Sequence, residues 1–332
     1  MLERAFTDAN AWRGAELSPD AGHFKVPASV TAELSDAVAE LAANPLPLAA
    51  LKPEHMDIPA TQAFMAKIKA TLTNGIGFAL IDRLPLEATG EDGARALFWL
   101  MGSIIERPVA QNWMGDMIYD VTDTGRQPGN GTRPDKTNAE QNFHTDNSYN
   151  LCPPNFVGLL CLRAAKAGGT SHIVSFKAAH NALRDNNPDL LKRLYAPFYF
   201  DRQREHASDD AMTLSHPLFA EDDGDLLARL SKFQVMNGHK LAGDPLDAIG
   251  AEALDALEDA MSAPGMDVSF QFEPGQIQII NNRVIGHRRT EFIDWPEADR
   301  KRLLVRLWLR DQGRPSTKDR ETARPGQSRP PP

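Results

Sequence analysis

The chain has 332 residues, a formal net charge of −9, 42% hydrophobic and 24% charged residues, the profile of a globular protein long enough for one barrel with extensions. That acidic balance argues against nucleic acid or an anionic membrane as the main partner. Two cysteines without C-x-x-C spacing, no apolar leader after Met1 and no apolar run of membrane-spanning length fit a reduced, cytoplasmic setting.

Residues 1–28 are mixed in character and Pro-containing. From Ser29, a plausible N-cap, Val30, Leu34, Val38 and Leu41 recur three or four apart and predict a helix. A second helix is expected from Ala60 to Leu72, broken by Asn74-Gly75, and a third from Glu91 to Ile104. Between them, 77–82 reads as a buried strand. Residues 117–121 form a short strand, and the Gly- and Pro-rich stretch 122–141 reads either as a lid or as a plain mobile connection. Strands are expected at 156–162, 171–176, 198–204, 212–219, 233–237, 270–272, 276–281 and 303–310, with helices at 177–195 and 251–260. Many short strands with few long helices after residue 143 point to a jelly roll, mainly β with flanking helices, decorated by the helix-rich residues 1–104. Residues 1–312 are expected to form one domain. The tail 313–332, rich in Pro and Arg and poor in apolar residues, is expected to be disordered.

Chemistry concentrates in three places. In Asn142-Phe143-His144-Thr145-Asp146-Asn147-Ser148-Tyr149 the extended-backbone residues predict a strand, which would point His144 and Asp146 to one face and let them share a divalent metal. Alone, the pair reads equally as an edge-strand histidine beside a solvated aspartate. His287 follows Gly286 in a basic stretch, Arg283 to Arg289, and by itself is no more than a half-buried histidine. The strand 302–310 carries Arg302, Arg306 and Arg310 four apart, on one face with Leu304 and Trp308. Guanidiniums on a buried face need anionic partners, and arginine suits carboxylates. Arg310 also reads as an exposed strand end.

Taken together, His144-Thr145-Asp146, Pro153-Pro154, Gly168-Gly169 followed by hydroxyl residues, Asn281-Asn282-Arg283, His287 and Arg302-Leu303-Leu304-Val305-Arg306 resemble the TauD/TfdA family of iron(II)/2-oxoglutarate-dependent dioxygenases from Gly77 to Arg310. The resemblance implies a double-stranded β-helix holding Fe(II) by His144, Asp146 and His287. It implies 2-oxoglutarate bound by Arg302 with Ser171, or failing that Thr170, and O₂ as oxidant. The implied reaction releases succinate and CO₂ and hydroxylates, or otherwise oxidises, a small anionic or amino-acid-like molecule. Arg306 matches a substrate-gripping position, and Asn147 and Tyr149 are candidate substrate contacts by their place beside the ligands. Since Asp146 keeps its carboxylate, hydroxylation is expected over halogenation. Two other readings keep the same His/Asp/His set: a jelly-roll metal- or ligand-binding protein without turnover, and a zinc hydrolase. Whether the chain forms a homo-oligomer is left open.

Overall fold

The computed structural model describes residues 4–126, 133–222 and 224–311. The tail expected at 313–332 and the middle of the 122–141 stretch lie outside these residues. No helix among the described residues is long and apolar enough to cross a membrane.

The barrel strands in chain order are β1 (Phe78–Ile81), β2 (Ile118–Val121), β3 (Gln141–His144), β4 (Phe156–Arg163), β5 (Ser171–Ser175), β6 (Asp267–Phe270), β7 (Ile277–Asn281), β8 (Ile285–Arg289) and β9 (Leu303–Leu309). The larger sheet runs β1-β7-β4-β9, extended by His23–Phe24 beside β1, with β2 and Pro108–Val109 pairing β9. The smaller runs β6-β5-β8-β3. These two facing sheets are the jelly roll anticipated from the sequence.

Period-2 alternation sorts each strand of the larger sheet between two environments. Ala79, Ile81, Leu160, Leu162, Ile277, Ile279, Val305, Leu307 and Leu309 face outward into a core shared with helices α1 (Ala28–Ala43), α2 (Pro59–Asn74) and α3 (Leu86–Ile105). The opposite face is graded. Phe78, Ile280, Val157 and Trp308 make an apolar layer with Ile173 and Ile285 of the smaller sheet. Leu80, Cys161, Leu304 and Val121 make another with Phe272. Between these layers the register aligns Gln278, Leu159 and Arg306 across three strands, which brings two polar side chains into the interior on one row. On the smaller sheet Val174 and Phe143 face outward, into a second core with α4 (Phe176–Asn186), α5 (Pro188–Leu194) and α7 (Ala248–Ser262).

Several elements differ from the sequence reading, among them the strand expected at 270–272, which runs instead over Asp267–Phe270. Residues 233–237, expected as a strand, lie in helix α6 (Lys232–Ala242). Ser231 caps it by accepting from the Gln234 N–H, and Gly243 ends it in the left-handed region with φ 66. That start and stop chemistry outweighs the β-prone Phe233 and Val235. The single helix expected at 177–195 is split into α4 and α5 because Pro188 lacks an N–H and restrains Asn187 before it. Ser29 is not the cap of α1, which starts from Pro27 without a side-chain cap.

Leu307 is fully buried against α3, where a Cβ on Gly102 would lie 2.9 Å from its Cδ1. Leu307→Ala is expected to cost about 2–5 kcal/mol, because so close a helix–sheet contact cannot collapse into the space left behind; urea unfolding of the variant measures it, and a loss under about 1 kcal/mol would contradict the packing. Acid lability has a separate source. Burial and, secondarily, Arg184 push His180 down to about 4; burial and Arg229 push His216 down to about 3, with its Nε2 3.1 Å from the Tyr149 carbonyl. Both rings fold neutral while the unfolded chain protonates near pH 6.5. Stability conferred by the neutral rings is therefore complete above pH 6.5 and lost as pH falls toward 4. Each ring removes up to about 1.4 kcal/mol per pH unit across that window. Denaturant midpoints between pH 7 and pH 4 test this, and replacing His216 by Gln is expected to flatten the slope.

Candidate metal centre and active-site cavity

His144 and His287 meet because their strands pair directly. His287 on β8 is the register partner of His144 on β3, and the two rings lie 4.1 Å apart. A register shift between His287 and Arg289 marks an irregularity beside the pair, a common device for aiming side chains. Asp146 arrives differently from the sequence expectation. The strand ends at His144, and Asp146 lies in the turn that follows. Its backbone is held by Asn282, whose Oδ1 accepts the Asp146 N–H at 2.8 Å and whose Nδ2 donates to the Asp146 carbonyl at 3.0 Å and to the Pro154 carbonyl at 3.1 Å. Thr145 bonds Leu230 on the other side, and Asn147 turns the chain with φ 56. Tertiary bonds, not strand alternation, bring the carboxylate to the histidines.

The three ligand atoms lie within 4.8 Å of one another. Asp146 Oδ1 is 3.5 Å from His144 Nε2 and 3.6 Å from His287 Nε2. Bonds of about 2.0–2.2 Å to one ion put neighbouring donors roughly 3–3.5 Å apart, so the set fits a divalent metal. His144 Nδ1 lies 2.9 Å from the Asn142 carbonyl, which can only accept; the proton is on Nδ1 and the Nε2 lone pair faces the cluster. The Gln141 amide reaches that Nε2 at 3.0 Å. Burial pushes His287 down to about 3, aided by His144 and opposed by Asp146, and the ring stays neutral as a metal ligand must. Burial would raise Asp146, but Arg306 and the two histidines hold it well below the usual carboxylate range.

The second carboxylate oxygen of Asp146 is pinned. Trp308 Nε1 donates to Oδ2 at 2.6 Å and Arg306 Nη1 lies 3.3 Å from it. Arg306 also contacts Asp135 Oδ2 at 3.3 Å and donates from Nε to Gln111 Oε1 at 2.8 Å. The anionic grip on substrate that the resemblance implies for Arg306 is thus taken up by two protein carboxylates. The sequence places Trp308 on one face with the strand's arginines and gives it no role; its position one strand alternation from Arg306 is the signal for more.

Deeper in the interior, Ser171 is buried on β5 and its Oγ donates to Gln278 Oε1 at 2.9 Å, linking the two sheets. Thr170, one residue earlier, points the other way; its hydroxyl accepts from the exposed Gln271. Ser171 is the register partner of Arg289. Arg289 and Arg302 flank one ring, their guanidinium carbons 4.7 and 5.0 Å from the centre of Phe292. Gly169 lets the chain pass: a Cβ there would lie 3.4 Å from Arg302 Nε, at φ +70. Both guanidiniums are buried, and neither makes an ion pair among the described residues. Burial and their mutual repulsion lower Arg289 to about 10; burial lowers Arg302 to about 10. Arg302 Nη1, Arg289 Nε and Gln278 Nε2 are buried without a hydrogen-bond partner. All three are donors. The sequence shows Arg289 within a basic stretch and Asn282 within the Asn281-Asn282-Arg283 motif, but assigns neither these roles, and it gives Gln278 none. Arg310, by contrast, leaves this cluster and donates to the Cys152 carbonyl.

A cavity of about 300 Å³ opens beside the cluster, lined among others by His144, Asp146, Asn147, Tyr149, Arg306 and Trp308. Burial pushes the Tyr149 phenol up to about 12, so it lines the cavity as a neutral hydroxyl.

A jelly roll with two histidines and one carboxylate facing a cavity defines a mononuclear metal oxygenase architecture. The chain belongs to the taurine catabolism dioxygenase TauD, TfdA family, whose model matches residues 42–308; it is a dioxygenase, an oxidoreductase of that family. It is similar to FR-33289 synthase of Streptomyces rubellomurinus, 27% identical over 317 residues, 93% of this chain and 91% of that protein. L-asparagine oxygenase of Streptomyces coelicolor is 30% identical over 159 residues, 45% of this chain and 42% of that protein. Among solved structures, asparagine oxygenase in complex with Fe(II), 2S,3S-3-hydroxyasparagine and succinate superposes with TM-score 0.65 at 20% identity, over 87% of this chain and 93% of that one. The non-heme iron oxygenase OrfP in complex with Fe and alpha-ketoglutaric acid gives TM-score 0.62 at 16% identity, over 87% and 94%.

Trp308→Phe keeps the aromatic volume and removes the N–H that holds Asp146 Oδ2. We expect metal affinity to fall about 10–100-fold, the usual effect of losing a bond that orients a ligand. Competition titration with Co(II) against a chromophoric chelator measures this directly, and unchanged affinity would remove Trp308 from the support of the site.

Proposed function

We propose that this chain hydroxylates, or otherwise oxidises, a small amino-acid-like molecule with iron(II), 2-oxoglutarate and O₂, releasing succinate and CO₂. His144, Asp146 and His287 are the residues that would hold the iron. When bound there, iron(II) supplies the activation of O₂ and the oxidation of an unactivated carbon. The observation that carries the reading is the pair Arg289 and Arg302, two buried guanidiniums that make no ion pair among the described residues and each keep a donor without a partner. Buried charge without a partner is costly, so the interior is built for an anion that the chain does not itself provide.

The roles follow from chemistry. Arg302, with Arg289 beside it, binds the far carboxylate of 2-oxoglutarate, since a guanidinium fork matches a carboxylate. The Gln278 Nε2 amide, oriented by the Ser171 hydroxyl that donates to its oxygen, supplies a further donor to it. Asp146 stays ionised and presents one oxygen to the metal, while Trp308 and Arg306 keep the other oxygen from turning toward it. Asn282 sets the backbone from which Asp146 reaches. Asn147 and Tyr149 line the cavity on the substrate side. Family relatives support the amino-acid-like class: the structures similar to this chain include an oxygenase with bound hydroxyasparagine and another with hydroxyarginine. A zinc hydrolase using the same ligands leaves Arg289 and Arg302 without an anion to bind.

Succinate release from 2-oxoglutarate in the presence of Fe(II), ascorbate and a panel of amino acids tests the function. Asp146→Ala is expected to abolish it. Arg302→Ala should raise the KM for 2-oxoglutarate by about tenfold or more, as loss of a buried charge-assisted contact does. An unchanged KM would move the co-substrate away from Arg302, and no succinate with any probe would end the oxygenase reading.

A further inference from the structure

Several buried polar atoms around the metal centre lack partners among the described residues. At the inner end Arg289 Nε, Arg302 Nη1 and Gln278 Nε2 are donors, and Asp294 Oδ2, on the residue that accepts the Arg302 N–H, is an acceptor. On the cavity side, two buried side-chain atoms lack partners among the described residues, Asp135 Oδ1 and Asn147 Oδ1. Both are acceptors, and both residues line the 300 Å³ cavity. Asp135 is 7% exposed. Only its other oxygen, Oδ2, is engaged, with Arg306.

The cations that line the cavity already have carboxylates. Arg133 pairs with Glu205, Lys232 with Asp255, and Arg306 with Asp135 and Asp146. An anionic substrate group would have to displace one of these pairs. A protonated nitrogen displaces none of these pairs and brings the kind of donor that Asp135 Oδ1 and Asn147 Oδ1 lack. Backbone conformation singles out the same place: the three non-glycine residues with positive φ among those described are Asn147, Gln203 and Arg204, and the first two line this cavity. Residues held in such sparsely populated conformations gather at ligand sites, and asparagine is among the few side chains that tolerate it.

We propose that Asp135 and Asn147 form the subsite that selects the substrate, by accepting hydrogen bonds from an ammonium or guanidinium group. The proposal rests on the oxygenase reading above and narrows its substrate class: of the anionic and amino-acid-like molecules that the sequence left open, the cavity takes those that present a cation beside the metal. A charge-assisted bond to a desolvated carboxylate is about twice as strong as a neutral one, so discrimination against uncharged analogues follows. Arg306 ties this subsite to the metal ligand, because its guanidinium bridges Asp135 and Asp146.

The test uses matched probes on the full-length, Fe(II)-loaded protein. L-Lysine against L-norleucine varies a side-chain cation. L-Norleucine against 2-hydroxyhexanoic acid varies the α-ammonium, and adipic acid represents an anion with no nitrogen. The readout is the preference, the ratio of kcat/KM for probe-stimulated succinate release between the members of a pair, which cancels any general loss of folded enzyme. In the wild type the cationic member of at least one pair is expected to win by about tenfold or more. Asp135→Asn should collapse that ratio toward unity, and Asn147→Asp, which keeps the acceptor and the tolerated backbone, should raise it. Stimulation by adipic acid alone, by neutral members as well as by cationic ones, or by no probe at all would overturn the subsite. So would a ratio untouched by Asp135→Asn. Those outcomes leave the oxygenase reading intact as long as the metal-loaded protein still binds 2-oxoglutarate by calorimetry; failure to bind it overturns that reading instead.

Discussion

The site depends on how one carboxylate is divided. Asp146 gives Oδ1 to the two histidines and Oδ2 to Trp308 and Arg306. A buried carboxylate left free to rotate would form whatever hydrogen bonds lay nearest and would not keep a metal position open. Fixing one oxygen with an indole N–H and a guanidinium leaves the other with a single direction to face. The same guanidinium keeps the acid ionised against a strong desolvation penalty. The neutral state of His287 and the ionised state of Asp146 are two consequences of one buried cluster, and both are what a divalent metal requires.

The scaffold serves that division. The larger sheet sends its aliphatic residues outward to α1–α3 and brings Gln278 and Arg306 into the interior on one row with Leu159, between two apolar layers. Apolar layers on either side lower the local dielectric and make each polar contact in the row count for more. The smaller sheet contributes the histidine pair in one register row and Ser171 with Arg289 in the next. What remains unpartnered includes donors on Arg289, Arg302 and Gln278 and acceptors on the cavity-lining Asp135 and Asn147.

Legibility in the sequence was uneven for physical reasons. The jelly roll and its flanking helices were readable because burial imposes period 2 or period 3.6 on apolar residues, as in 277–281 and in α2. Helix α6 was not, since Phe233 and Val235 suggest a strand while Ser231 and Gly243 decide for a helix. His144, Asp146 and His287 were readable as types with metal-binding chemistry, and Arg302 as a buried cation, through resemblance to the family more than through spacing. Asp146 sits on a turn held by Asn282, so the strand argument that placed it beside His144 reached the right neighbour by the wrong route. Arg306 looked like a hand for an anionic substrate because a sequence cannot reveal that Asp135, far upstream, already occupies it.

What the amino-acid sequence by itself determined was the inventory: a β-rich barrel core, three ligands of the right kind, and more arginine on one interior strand than an apolar core tolerates. Those properties follow from local periodicity and from the cost of burying charge, and both are written along the chain. What only the tertiary structure decided was the pairing: which oxygen of Asp146 is held, which guanidiniums make ion pairs and which do not, and which cavity-lining residues keep an unmatched acceptor. Pairing depends on residues such as Asp135, Asn282 and Trp308 that are distant in sequence and meet only when two sheets close on each other, and no one-dimensional pattern encodes a distance of three ångströms between them.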